Sequence, residues 1–236
     1  MNLFVGGGHQ YLVMNMERRD QIEALFKGLV EGKPYTKKIP LNRLSISGLS
    51  FSAEQEIKRK LGEKEDTLKD KLNMFRGTAL HAHIQNLVKD QGYRAEYRLY
   101  YSIPHTWHYM GFDTIDFVGV IDLLHDERNE AIELKSSMNS DKIEEYHKTQ
   151  LASYLKMLQE KTGREYTGLV VKFGGSDVVA EEIQREDVPK YWDTIVRRAI
   201  MVADKLDEEM ERRDILASTS NSKSGGLYKF DDSEQD

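Results

Sequence analysis

The chain has 236 residues, enough for one large domain or two small ones, with 39% hydrophobic and 31% charged side chains. It contains no cysteine, which excludes disulfides, thiolate zinc sites, iron–sulfur clusters and cysteine nucleophiles. The 34 Lys and Arg against 40 Asp and Glu leave a net charge of −6, which argues against non-specific coating of a polyanion but not against a centre built from carboxylates.

The opening MNLFVGGGHQ lacks a basic segment followed by an apolar one, and no apolar run approaches 18 residues. The expectation is a cytoplasmic protein (host cytoplasm for a viral source) with no membrane partner. Residues 1–45 read as an N-terminal extension. Gly6-Gly7-Gly8 is a flexible run without the Lys-Ser/Thr ending of a phosphate loop, and a helix-like stretch spans about Glu17 to Val30. Ser52, with Gln55 three residues on, has the spacing of a capping box, and the charges over 54–76 read as a solvated helical face.

The spacing of Leu80, Ile84, Leu87 and Val88 predicts a helix from about Met74 to Asp90 with those four as its buried stripe. His81 and His83 fall on opposite margins of the stripe. Residues 93–103 alternate as a strand, with Glu96 on the polar face as an accessory metal or water ligand, or as a partner of Arg94 or Arg98. Tyr100 and Tyr101 read as core, with base stacking as the alternative.

Two further strands, 115–124 and 130–137, flank the turn-rich His125–Asn129. A helix follows over about Asp141 to Lys161, then a buried strand at 167–173, a hairpin partner at 177–183 and a charged helix at 188–216. Arg197 and Arg198 read as solvated, and 217–236 as a disordered tail. This order predicts an α/β fold with a mixed sheet.

The chemistry concentrates at Asp122 and Glu133-Leu134-Lys135. Residues two apart in a strand share a face, so Glu133 and Lys135 point together. A hairpin centred between Glu127 and Arg128 pairs residues whose numbers sum to 255, which sets Asp122 opposite Glu133. Like charges so placed repel. A divalent cation between them turns the pair into two hard oxygen ligands. The bland reading is a surface hairpin with salt-bridged carboxylates, but Asp122 lies between VGVI and LL, where an unpaired charge is costly.

Four segments together resemble the RecB-like branch of the PD-(D/E)xK nuclease superfamily: FRGTALHAH (75–83), VGVIDLL (118–124), IELKSS (132–137) and YHKTQLASYL (146–155). The resemblance implies a restriction-endonuclease-like αβββαβ core over 46–216, with helical N- and C-terminal additions. It implies that His81, Asp122 and Glu133 ligate Mg²⁺ or Mn²⁺, with the backbone carbonyl of Leu134 as a further ligand. Lys135 would position the attacking water, and Gln150 and Tyr154 would contact DNA or orient the lysine. His147 and Lys148 are candidate phosphate contacts.

Many members of the branch hold an iron–sulfur cluster on four cysteines. This chain has none, so packing must clamp its terminal helices instead. The implied function is a metal-dependent DNA nuclease of the exonuclease kind, acting on single strands or ends. The alternative is a silent nuclease fold that binds DNA or protein within a recombination, replication or CRISPR-adaptation complex. The residues leave open DNA or RNA, exo- or endonucleolytic cleavage, and oligomeric state.

Overall fold

The computed structural model describes residues 40–63, 66–137, 142–174 and 177–224, with side chains to 217 in the last helix. The chain forms two compact units, one from Met1–Lys38 and Glu65–Ile84, the other from Ile39–Lys64 and Gln85–Asp236. The elements are β1 (Arg43–Ser45), α1 (Ile46–Phe51), α2 (Ala53–Lys60), α3 (Leu68–Val88), β2 (Arg94–Pro104), β3 (Thr114–His125), β4 (Glu130–Ser136), α4 (Glu145–Thr162), β5 (Thr167–Phe173), β6 (Val178–Ile183) and α5 (Val188–Ser224).

The described part of the first unit is mostly α3, which begins six residues before the expected Met74. The expected buried stripe is not found: no residue of α3 is buried, and Leu87 is 65% exposed. A helix buries its apolar face only where something packs on it, and the remainder of that unit, Met1–Lys38, lies outside the described residues. The glycine run and the helix expected at 17–30 also lie outside the described residues.

The second unit is built on a six-stranded mixed sheet with β1, β3, β4, β5 and β6 in order and β2 alongside β3. Its hydrophobic core joins Leu44, Phe117, Ile121, Leu151, Leu158, Val170, Ile195 and Val202, which come from the sheet, α4 and α5. Each such side chain, fully buried, contributes about 1.5–3 kcal/mol. This is the α/β mixed-sheet architecture that the element order implies.

Arg43–Ser45 do not belong to an extension but to the sheet, paired parallel with Asp116–Val118 of β3. The strand turns straight into α1, where Ser45 Oγ accepts from the Gly48 amide at 3.0 Å. The last helix continues to Ser224, past the expected end at 216. No glycine or proline interrupts the chain between Pro189 and Gly225, so nothing local stops it. Arg198 is not a solvated side chain. Its guanidinium donates to the Leu49 and Ser50 carbonyls at 2.8 and 2.6 Å and closes the C-terminus of α1. Packing and such polar ties thus join the N- and C-terminal parts of this unit.

One edge of β3 is paired with β2 almost throughout. On the other edge β1 takes residues 116–118 and β4 takes 123–125, so Gly119–Asp122 lie between the two ladders. Beyond Ile132, β4 runs on beside β5, pairing Glu133 with Val170 and Lys135 with Lys172. The sheet therefore opens into a fork between β3 and β4.

Candidate active site

The β3–β4 ladder pairs Leu123 with Ile132, Leu124 with Ala131 and His125 with Glu130. Every pair sums to 255, as the hairpin reading requires. Asp122 and Glu133 come next, at the mouth of the fork, and both are buried, at 9% and 2% exposure. Asp122 Oδ2 accepts from the Leu134 amide at 2.7 Å, so a side chain supplies the acceptor that the diverging ladder no longer offers.

Strict alternation fails here. Ile121, Asp122, Leu123 and Leu124 are all buried in succession, and Glu96 of β2 carries φ +51°. A non-glycine residue in that region costs on the order of 1 kcal/mol and persists only where its surroundings impose it. Glu96 is exposed and makes no ion pair among the described residues. Arg94 pairs instead with Asp126.

Glu133 Oε1 accepts from Lys135 Nζ at 2.7 Å and from Gln150 Nε2 at 2.6 Å. Lys135 Nζ also donates to Gln150 Oε1 at 3.0 Å, and Gln150 Nε2 to the Tyr154 hydroxyl at 3.0 Å. One amide therefore holds the carboxylate, the ammonium and the phenol in a fixed arrangement. Gln150 and Tyr154 lie one helical turn apart on α4, which brings both to one face.

Gln150 is 6% exposed and Tyr154 2%. Gln150 is bonded directly to Lys135, and Tyr154 reaches the lysine through Gln150. The Tyr154 ring lies across β3 at Gly119, where a Cβ would come 2.3 Å from its Cε1. Burial, then the Glu133 charge, push the Tyr154 phenol well above its ordinary pKa, against the opposing pull of donors at Gln150 and Val120. It stays a neutral hydroxyl.

His147 is buried and internal rather than a phosphate contact. Its Nδ1 accepts from the Glu144 amide at 3.1 Å, and burial, then the Lys135 and Lys172 charges, lower its pKa to about 4. Lys148 is paired with Glu181. Lys172, which the sequence reading passed over, is a buried neighbour of Lys135 on β5, and it donates to the Lys142 carbonyl. An alternating strand hides such a lysine, because only the register with β4 shows what lies beside it. Of the strand tyrosines, Tyr101 packs edge-on against Trp192 and Tyr100 is exposed.

Asp122, Glu133, Lys135, Gln150 and Tyr154 thus form one cluster in the second unit. His81 belongs to the first unit. Among the described residues no group of three or more His, Cys, Asp or Glu is arranged to hold a metal ion. Two buried carboxylates at the fork nevertheless suit a hard divalent cation, since both offer anionic oxygen.

No family model matches the chain, and no curated protein matches it. Solved structures do. SSO0001 superposes with a TM-score of 0.58 at 20% identity, over 77% of this chain and 86% of that one. A protein from Eubacterium rectale, named "Putative exonuclease", superposes at 0.51 with 10% identity, over 73% and 85%. LHK-Exo in complex with dAMP gives 0.46 at 18% identity, over 76% and 95%. The chain therefore shares the α/β fold of the first two of these structures, a mixed sheet flanked by helices. Among the described residues no helix is long and apolar enough to cross a membrane.

Proposed function

We propose that the chain is a divalent-metal-dependent nuclease that hydrolyses phosphodiester bonds of DNA. The observation that carries this reading is the hydrogen-bonded set Asp122, Glu133, Lys135 and Gln150 at the mouth of the sheet fork. Asp122 and Glu133 would hold Mg²⁺ or Mn²⁺, with the Leu134 carbonyl as a further ligand. Such an ion polarises the phosphate and lowers the pKa of bound water.

The protein's own contribution lies in Lys135. Its side chain is 22% exposed, against 3% for that of Glu133, so the lysine faces solvent from the cluster. Two of its three N–H donors go to Glu133 and Gln150, which leaves one to hold a water or a phosphate oxygen. Gln150 and Glu133 fix the direction of that third donor, and Tyr154 fixes Gln150. A preference for single strands or ends rests on the resemblance to the exonuclease branch. Partners in recombination, replication or CRISPR adaptation rest on the same ground.

The test is cleavage of end-labelled DNA in Mg²⁺ or Mn²⁺ by the wild type, Glu133→Ala and Lys135→Ala. A positioned proton-handling group contributes about 10²–10⁴-fold, so Lys135→Ala is expected to lose at least about 100-fold. Cleavage unchanged in both variants would reject the assignment. A silent DNA-binding fold is favoured by one observation, the lack of a third ligand beside the pair among the described residues. Mn²⁺ titration in the presence of DNA separates the two readings, since the silent fold binds no metal.

A further inference from the structure

Phe51 is 53% exposed at the end of α1, although its neighbours Leu49, Ser50 and Ala53 are buried. Its position is fixed rather than loose. Ser52 closes α1 and caps α2 at once, its amide donating to the Gly48 carbonyl and its Oγ accepting from Gln55. Arg198 holds the Leu49 and Ser50 carbonyls from the other side.

The Phe51 ring stands edge-on to Tyr146, with centroids 5.2 Å apart and planes at 88°. Tyr146 is one turn before Gln150, so Tyr146, Gln150 and Tyr154 share a face of α4. Down that face burial deepens from half-buried Tyr146 to nearly inaccessible Tyr154. Lys135, bonded to the middle member, also acts on Tyr146: burial raises the pKa of the Tyr146 phenol, and the Lys135 charge opposes that rise.

We propose that Phe51, braced by Tyr146, is a stacking platform for a nucleobase next to the phosphate held at Lys135. The inference rests on the nuclease reading above and deepens it. An exposed aromatic braced by Tyr146, which itself lies within the field of Lys135, offers the two needs of a single-strand site, a π-face for the base and positive charge for the backbone. Any base can stack there, so the platform selects unpaired nucleotides rather than a sequence.

The test compares binding of a fluorescent dT oligonucleotide with that of an abasic oligonucleotide of equal length, by anisotropy in Ca²⁺. One stacked base is worth about 5- to 150-fold. The wild type is expected to prefer the dT strand by that margin, Phe51→Ala to lose the preference and Phe51→Trp to keep it. A preference retained in Phe51→Ala overturns the proposal, as does a wild type that does not discriminate.

Photocrosslinking of 5-iododeoxyuridine DNA to the wild type gives a readout independent of any variant's folding. Adducts at Phe51 or Tyr146 support the platform, and adducts elsewhere alone overturn it. A wild-type dimer that Phe51→Ala dissociates would assign the ring to a second copy of the chain and also overturn it. The cleavage assay with Glu133→Ala judges the nuclease reading separately, because it does not depend on discrimination between bases and abasic sites.

Discussion

The Leu134 amide donates to Asp122 Oδ2 at 2.7 Å, directly beside the point where the two strands of the hairpin part. The carboxylate therefore has a structural task through this bond, beside the metal-binding role proposed for its charge. A hydrogen bond to a charged group is worth about 1.5–3 kcal/mol. Repulsion from a like charge opposite costs about 0.2–1 kcal/mol, so the bond wins. Asp122→Ala should lower the metal-free unfolding free energy by about 1–2 kcal/mol. Asp122→Asn keeps an acceptor for Leu134 and should unfold within about 1 kcal/mol of the wild type, yet bind Mn²⁺ at least tenfold more weakly. Urea unfolding and calorimetric titration check the two halves. Equal destabilisation by Asn and Ala would show that the bond does not carry the stability.

Gly119 is the glycine of the VGVID segment, and its role is steric. A methyl group there would sit 2.3 Å from Tyr154 Cε1, and a buried ring has no room to retreat. Overpacking a core usually costs about 1–3 kcal/mol, so Gly119→Ala should lose about 3 kcal/mol. Tyr154→Leu removes the clashing ring. The double variant should then be at least about 1 kcal/mol more stable than the two single losses predict, which is the signature of residues in contact. Strictly additive losses would place the strain elsewhere.

Much of this site was legible from local pattern. The hairpin register follows from a turn centred between Glu127 and Arg128, and the pairs Leu123–Ile132 and His125–Glu130 bear it out. Elements that depend on distant partners were less visible. Arg43–Ser45 are too short to show alternation and become a strand only because Asp116–Val118 lie beside them. Arg198 looks like a surface charge until α1 brings its two carbonyls within reach. The burial of Tyr154 was hidden for a similar reason. Its position on α4 shows that it shares a face with Gln150, but not that Gly119 has cleared a place for its ring.

The Tyr154 hydroxyl accepts from Gln150 Nε2 at 3.0 Å in a buried setting. Tyr154→Phe removes that acceptor and leaves an N–H unsatisfied, a cost of about 1–3 kcal/mol. Because the hydroxyl acts on Lys135 only through Gln150, the loss should appear in kcat, by about tenfold, with KM little changed. A rise in KM at constant kcat would mean that Tyr154 contributes to substrate binding after all, against its burial.

His147 gives the fold a dependence on acid. Its folded pKa is lowered to about 4 by burial, with Lys135 and Lys172 adding to the effect, whereas an exposed histidine titrates near 6.5. Between those values the unfolded chain binds a proton that the folded one refuses. Stability from this group is therefore complete above about pH 6.5, falls as the pH drops toward 4 and is level below. The neutral ring accepts the Glu144 amide at Nδ1, and an asparagine oxygen can take over that bond without titrating. His147→Asn should consequently lose less stability than the wild type between pH 7 and pH 4, by about 3 kcal/mol. Unfolding free energies at pH 7, 5.5 and 4 decide it: curves that stay parallel would show that His147 is already as easily protonated in the fold as out of it.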